Sequence, residues 1–358
     1  MPARMPEAIS HTERVLVVSP NWLGDAVMAL PAIADVKRHI PSARLVVAAR
    51  RAVADMFRLA APVDEVLVFE WSGTLLRAGA LRRDLDALRR LQADVAILLP
   101  NSFASAWVVR RAGIRERWGY ATDFRRALLS RAARRPSGSV HQAAYYQHLV
   151  HQLGISRGPL EPALTVPDAV VESARSLLTS SGWSSERPLV AIAPGAAYGT
   201  AKRWLPRHFA QLVVTLANEG ATCALLGGGG DRETTEWIRR LVPEPARRYA
   251  LDLAGRTGLD VLAGVMRLSS VFVSNDSGAM HMASALGVPV VAVFGPTREY
   301  ETAPLAREGG RVEVLVNPVW CRPCMLRECP IDHRCMKGLL PERVLTVVRE
   351  MMSDSKTP

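Results

Sequence analysis

Aromatic side chains are scarce: Phe, Trp and Tyr make up 6% of the 358 residues, which argues against an aromatic-rich antiparallel sandwich. No apolar run approaches the ~18 to 20 residues that cross a bilayer. The start of the chain, with Glu7, His11 and Glu13 before a short apolar run at 15–18, has no secretory hydrophobic region, so the expected location is the cytoplasm. Cysteine is thinly spread as well. Cys223 stands alone and the other four lie between Cys321 and Cys335, which excludes a disulfide framework distributed along the chain.

What is present is aliphatic and basic. Hydrophobic residues reach 49% and charged residues only 22%, which rules out a disordered or fibrous chain and supplies apolar material for two cores of ordinary size. The formal net charge is +11, and between Arg77 and Arg135 fourteen arginines face five acidic residues. The basic character is therefore local, and an anionic partner is expected at that stretch.

Short β-rich runs alternate with amphipathic stretches. The runs at 14–19, 44–49, 65–69 and 94–99, with helical patterns at 26–39 and 75–91 between strands, predict a parallel sheet with crossover helices. A second series at 188–193, 221–226, 249–253, 271–274 and 288–294 predicts another. Residues 154–167, with Pro159, Pro162 and Pro167, suit an extended connector. The expected organisation is an N-terminal Rossmann-like domain over 1–165, a second over 166–340, and a C-terminal helix and tail over 341–358 that could pack on either. In such α/β domains ligands meet the carboxyl ends of the strands.

Four strand ends carry chemistry-bearing residues. The first strand runs through Asn21, Trp22 and Leu23 into Gly24 and Asp25 at the start of a helix; Asp25 reads either as a helix cap or as a carboxylate facing a ligand. After the first strand of the second series come Gly195, Ala196, Gly199, Thr200, Lys202 and Arg203, a small-residue loop with countercharge for a phosphate but without Walker A order. Asp276, Ser277, Gly278 and His281 lie between a buried strand and a helix, where they form either a ligand site or a capping sequence with a core histidine. A tetraglycine at 227–230 followed by Asp231 and Glu233 suits close passage of a nucleotide, with a carboxylate for a ribose diol.

Cys321, Cys324, Cys329 and Cys335, with His333 between, have a knuckle-like spacing that suits a structural zinc, or else form a set of thiols packing a surface excursion. A basic nucleic-acid-binding module with such a knuckle is the rival class. It is disfavoured because the arginine stretch has few interleaved aromatics and no recognisable binding motif.

Taken together, Asn21-Trp22-Leu23-Gly24-Asp25, Pro194-Gly195-Ala196 with Ala201-Lys202-Arg203-Trp204, Asn275 to His281, and Gly295-Pro296-Thr297 resemble the lipopolysaccharide heptosyltransferases of glycosyltransferase family nine. The cysteine-rich tail looks like that of the type II members. The resemblance implies a GT-B fold, two Rossmann-like domains facing a central cleft. It implies inverting, metal-independent transfer of heptose from ADP-L-glycero-β-D-manno-heptose to the first heptose of the lipopolysaccharide inner core, with no cofactor. A relative using another nucleotide sugar or acceptor is the alternative. It further implies that Asp25 is the general base, that Lys202 binds the donor diphosphate, and that Asp276, Ser277, Gly278 and His281 line the donor. The adenosine is then expected near Leu253, Ala254 and Gly255, with Asp231 or Glu233 at the ribose. Two positions depart from the family pattern, Thr200 and Leu205 standing where proline is expected. The expected partners are the ADP-sugar, the lipopolysaccharide acceptor and the anionic cytoplasmic membrane surface, through which the protein would be peripheral on the inner leaflet; nucleic acid is not expected.

Overall fold

A computed structural model describes residues 12–70 and 78–354. The chain divides into two compact units, with the boundary between Ala163 and Leu164.

The first unit carries β1 (Arg14–Val18), β2 (Arg44–Arg50), β3 (Glu65–Phe69), β4 (Val95–Leu98), β5 (Glu116–Tyr120) and β6 (Arg131–Ala133). They form one sheet in the order β3-β2-β1-β4-β5-β6 with every pairing parallel. The central strands are continuous aliphatic runs because helices cover both faces: Val15, Leu16 and Val17 are at most 1% exposed. The predicted helix at 26–39 is two helices, Leu23–Met28 and Leu30–His39, meeting at Ala29 just before Pro31. Proline has no N–H to donate and is tolerated in a first turn, which makes that position a natural restart. The predicted helix at 75–91 is seen as Ala78–Leu91; positions 75–77, like Glu7 and His11, lie outside the described residues.

The second unit repeats the plan with β7 (Leu189–Ala193), β8 (Thr222–Leu225), β9 (Ala250–Asp252), β10 (Val271–Asn275), β11 (Val290–Phe294) and β12 (Val312–Val316). Its order, β12-β11-β10-β7-β8-β9, is again wholly parallel and doubly wound. Both units therefore have a Rossmann-like order, with a topological switch point between β1 and β4 in one and between β7 and β10 in the other. The helix Pro341–Asp354 packs on this second unit, burying Val344, Leu345, Val348 and Met351 in the same cluster as Val190, Phe209 and Val273.

Candidate functional site

In the first unit the chain leaves β1 at the switch point through exposed Asn21 and Trp22 and enters the helix Leu23–Met28. Trp22, not Asp25, occupies the N-cap position, and Asp25 stands in the first helical turn, where the helix dipole favours a negative charge. Asp25 is half-buried. Its Oδ1 accepts a hydrogen bond from the Tyr146 hydroxyl at 3.3 Å. Tyr146 sits on the helix Gln142–Gln152 and is 4% exposed. Burial first, and then the neighbouring charge of Asp25, push its phenol well above the usual range, so it stays a donor. Alongside, Asn101 just beyond the end of β4 donates from Nδ2 to the Tyr145 hydroxyl at 2.9 Å, and Tyr120 donates to the Tyr145 carbonyl at 2.7 Å. The tyrosines were not singled out by sequence reasoning, although a Tyr-Tyr pair in a chain so poor in aromatics was a usable signal.

In the second unit three loops converge. Asn275, fully buried, ties them: its Oδ1 accepts from the Trp204 backbone N–H at 2.9 Å, and its Nδ2 donates to the Pro194 carbonyl at 2.7 Å. This fixes the Lys202 turn over the end of β10. The Lys202 Nζ lies 2.6 Å from Asp276 Oδ2, with side-chain exposures of 13% and 5%. The Thr297 hydroxyl donates to the same carboxylate oxygen at 2.5 Å. The face of Tyr198 flanks the ammonium, 4.8 Å from its ring centroid. Next to this pair begins the helix Gly278–Ala285. Its N-cap, Ser277, makes no side-chain cap bond and shares its hydroxyl with Ser274 at 2.9 Å. The first-turn N–H groups thus have no cap side chain, an arrangement that suits an anion. His281, one turn further in, is 4% exposed.

The tetraglycine joins the same edge. The Asp231 carboxylate accepts from the Gly228 N–H at 2.9 Å, and it lies so close to Gly195 that a Cβ there would come within 2.2 Å of Asp231 Oδ1. A side chain at 195 would therefore displace the Asp231 carboxylate from its present position. Gly255 donates to the Gly227 carbonyl at 2.8 Å and has φ +66, a left-handed conformation. Arg232 holds the Gly255 carbonyl at 3.0 Å. The side chain of Leu253 is fully buried and Ala196 is 3% exposed, while Thr200 and Glu233 are exposed. The structure thus gathers Gly195, Asp231 and Gly255 with the tetraglycine, and Lys202 with Asp276, Ser277 and Gly278.

The cysteine-rich excursion backs the Lys202 turn. The Ala201 N–H donates to the Arg327 carbonyl at 2.9 Å, and Tyr198 donates to the Met325 carbonyl at 3.0 Å. All five cysteines are free thiols. Cys321, Cys324, Cys329 and Cys335 line one small hollow with His333. The zinc alternative needs at least three ligands to converge, and among the described residues no group of three or more His, Cys, Asp or Glu side chains is arranged to hold a metal ion. Cys223 is a core thiol whose pKa is pushed up to about 12 by burial.

Two Rossmann-like domains, with polar residues at the first switch point and glycine-rich loops around the second, are the architecture of the GT-B glycosyltransferases. Residues 81–334 match the family model for glycosyltransferase family 9 (heptosyltransferase). The chain is 30% identical to lipopolysaccharide heptosyltransferase 2 of Salmonella typhimurium, over 95% of this chain and 99% of that one. It is 31% identical to lipooligosaccharide heptosyltransferase 2 of Haemophilus influenzae with the same coverage. The solved ADP-heptose lps heptosyltransferase II of E. coli superposes with a TM-score of 0.83 at 28% identity, covering 96% of this chain and all of that one. The chain belongs to glycosyltransferase family 9, the heptosyltransferases. Among its described residues no helix is long and apolar enough to cross a membrane.

Proposed function

We propose that this enzyme moves heptose from ADP-heptose to the first heptose of the lipopolysaccharide inner core, the second addition of that series, with inversion and without a metal ion. The observation that carries the proposal is the meeting of Lys202, Asp276 and Thr297 beside the uncapped helix at Ser277. In this reading the ammonium and the first-turn N–H groups of that helix take the charge that grows on the departing ADP, the electrostatic term that dominates such transfers. Asp276 and Thr297 hold Lys202 in place, because a carboxylate 2.6 Å from the ammonium fixes its position while leaving two of its three protons for phosphate oxygens. Adenosine lies along Gly227, Gly228 and Gly255, with Asp231 at the ribose.

Asp25 takes the proton of the attacking acceptor hydroxyl, on the face of the sugar opposite ADP, as the transition state gains oxocarbenium character. Tyr146 is a positioning residue: its hydroxyl orients the carboxylate and does not itself meet substrate. The proposal requires both Asp25 and Lys202 to act on one anomeric carbon once donor and acceptor are bound. The arginine-rich stretch of the first unit draws the enzyme to the anionic cytoplasmic leaflet, where the acceptor resides.

Calorimetry with ADP and a mass-spectrometric transfer assay over a panel of nucleotide sugars test the proposal. The expected result is ADP binding that is lost in Lys202→Ala, together with transfer from ADP-heptose onto a singly heptosylated core. Transfer from a uridine or guanosine sugar in preference to ADP-heptose would replace the reading.

A further inference from the structure

We propose that residues 121–127 of the first unit form a membrane-seating tip, in which Phe124 enters the apolar layer of an anionic bilayer while nearby arginines bind lipid phosphates. The inference deepens the proposed membrane attachment and rests on that reading for the choice of a bilayer as partner.

The loop is built to present an aromatic ring to solvent. Phe124 is 98% exposed, so its ring adds nothing to the core. Its backbone has φ +54 and that of Asp123 has φ +48, two consecutive non-glycine residues in the left-handed region. That conformation costs free energy, most of all for a bulky side chain, and persists only where the surroundings enforce it. Here Arg125 enforces it. It is 0% exposed, and its guanidinium donates to the Tyr120 carbonyl at 3.0 Å, to Ser105 Oγ at 3.1 Å, and to the Pro100 carbonyl. Asp123, the only acid between 121 and 135, accepts from the Phe103 N–H at 2.6 Å. Its charge is thus engaged within the loop, and it places Phe103, itself 44% exposed, beside the tip.

Apart from the Asp123 carboxylate, the charges at this loop are positive. Arg126 is exposed and adjacent, and Arg110 reaches the Ala127 carbonyl at 3.0 Å. Among the described residues neither has a carboxylate within ion-pair distance. Elsewhere in the basic stretch, by contrast, Arg83 pairs with Glu70 at 2.6 Å and Arg89 with Asp86 at 3.0 Å. The tip therefore carries two cations without an ion pair, whereas two of the four arginines of the helix Ala78–Leu91 are paired. An exposed aromatic on a loop that also carries two guanidinium groups without an ion pair is complementary to acyl chains beneath anionic headgroups.

The test is co-sedimentation with vesicles of phosphatidylglycerol and phosphatidylcholine, against phosphatidylcholine alone. Full burial of a phenyl group predicts that Phe124→Ala weakens partitioning roughly 10- to 100-fold, with Phe124→Leu close to wild type. The double variant Arg110→Gln, Arg126→Gln should lose roughly 20-fold on anionic vesicles, and its residual binding should depend less steeply on anionic lipid and on salt than that of the wild type. Because the ring is exposed, all these variants should melt as the wild type does. Transfer to a water-soluble core oligosaccharide should be unchanged in each. Wild-type sedimentation by Phe124→Ala would overturn the proposal. So would loss of turnover on the soluble acceptor with vesicle binding intact, which would make Phe124 an acceptor contact. If the wild type failed to glycosylate the soluble acceptor, the proposed function would fall while the vesicle measurements still judged the tip.

Discussion

Replacing Tyr146 with Phe removes one oxygen atom and little else, and the consequence can be worked from the structure. The ring is 4% exposed and Phe fills the same space, so no cavity is left and stability should fall by no more than the lost hydrogen bond, about 1 to 1.5 kcal/mol. The lost hydroxyl is 3.3 Å from Asp25 Oδ1. A hydrogen bond to a charged group contributes roughly 1.5 to 3 kcal/mol, but 3.3 Å is long for an O–H donor, so about 1 to 1.5 kcal/mol is the appropriate figure. If Asp25 is the base and Tyr146 orients it, kcat should fall about 5- to 10-fold, with ADP affinity unchanged. A second readout separates orientation from packing. The hydroxyl donates to the ionised carboxylate and so favours its charged form, and without it the acid limb of the kcat profile should move to higher pH. Steady-state kinetics across pH, with ADP calorimetry alongside, checks both. A variant with wild-type kcat and an unmoved acid limb, or one that loses ADP affinity instead, would refute the reasoning.

At Gly199 a Cβ would come within 2.3 Å of the Arg327 carbonyl oxygen and 2.8 Å of its Cα. Gly199→Ala should therefore cost roughly 1 to 3 kcal/mol and weaken ADP binding by displacing the Lys202 turn, whereas Gly230→Ala, with nothing within 4 Å, should melt like wild type; differential scanning calorimetry and ADP titration distinguish them. Burial lowers the pKa of His148, His208 and His333 from the ordinary value of 6.5 in the folded state. Each of the three then holds fewer protons folded than unfolded just below that value. Stability should therefore rise with pH through this region and be lost as pH falls below about 6.5, well before the carboxylates titrate. Thermal melts from about pH 8 down to about pH 5 read the onset, and a flat melting temperature across that range would contradict the burial of these rings. Glu299, held low by its hydrogen bond to Arg322, adds a further loss only at more acid pH, below its ordinary value of 4.5.

The central strands of both sheets could be read from the chain because they are buried on both faces and appear as unbroken aliphatic runs, as at 15–18 and 290–294. The strands not recognised lie toward the sheet margins. Glu116–Tyr120 contains Glu, Arg and Gly, Arg131–Ala133 has three residues, and Val312–Val316 is only partly buried. Such strands are half-solvated or short, so neither run length nor apolarity marks them. The loops of the site were legible one at a time, since glycines and polar residues at strand ends stand out against aliphatic surroundings. Their convergence was not. Lys202 meets Asp276 and Thr297 only because β7, β10 and β11 are consecutive in the sheet. The partnership of Tyr146 with Asp25 spans 121 positions, and no local pattern encodes it.

The most direct measurement is transfer of heptose from ADP-heptose to a singly heptosylated core oligosaccharide, followed by mass spectrometry, for the wild type and Asp25→Asn at matched ADP affinity. The account predicts that the wild type adds one heptose and that Asp25→Asn, still binding ADP, loses most turnover, roughly 100-fold or more for a general base. Turnover by Asp25→Asn close to that of the wild type would contradict it.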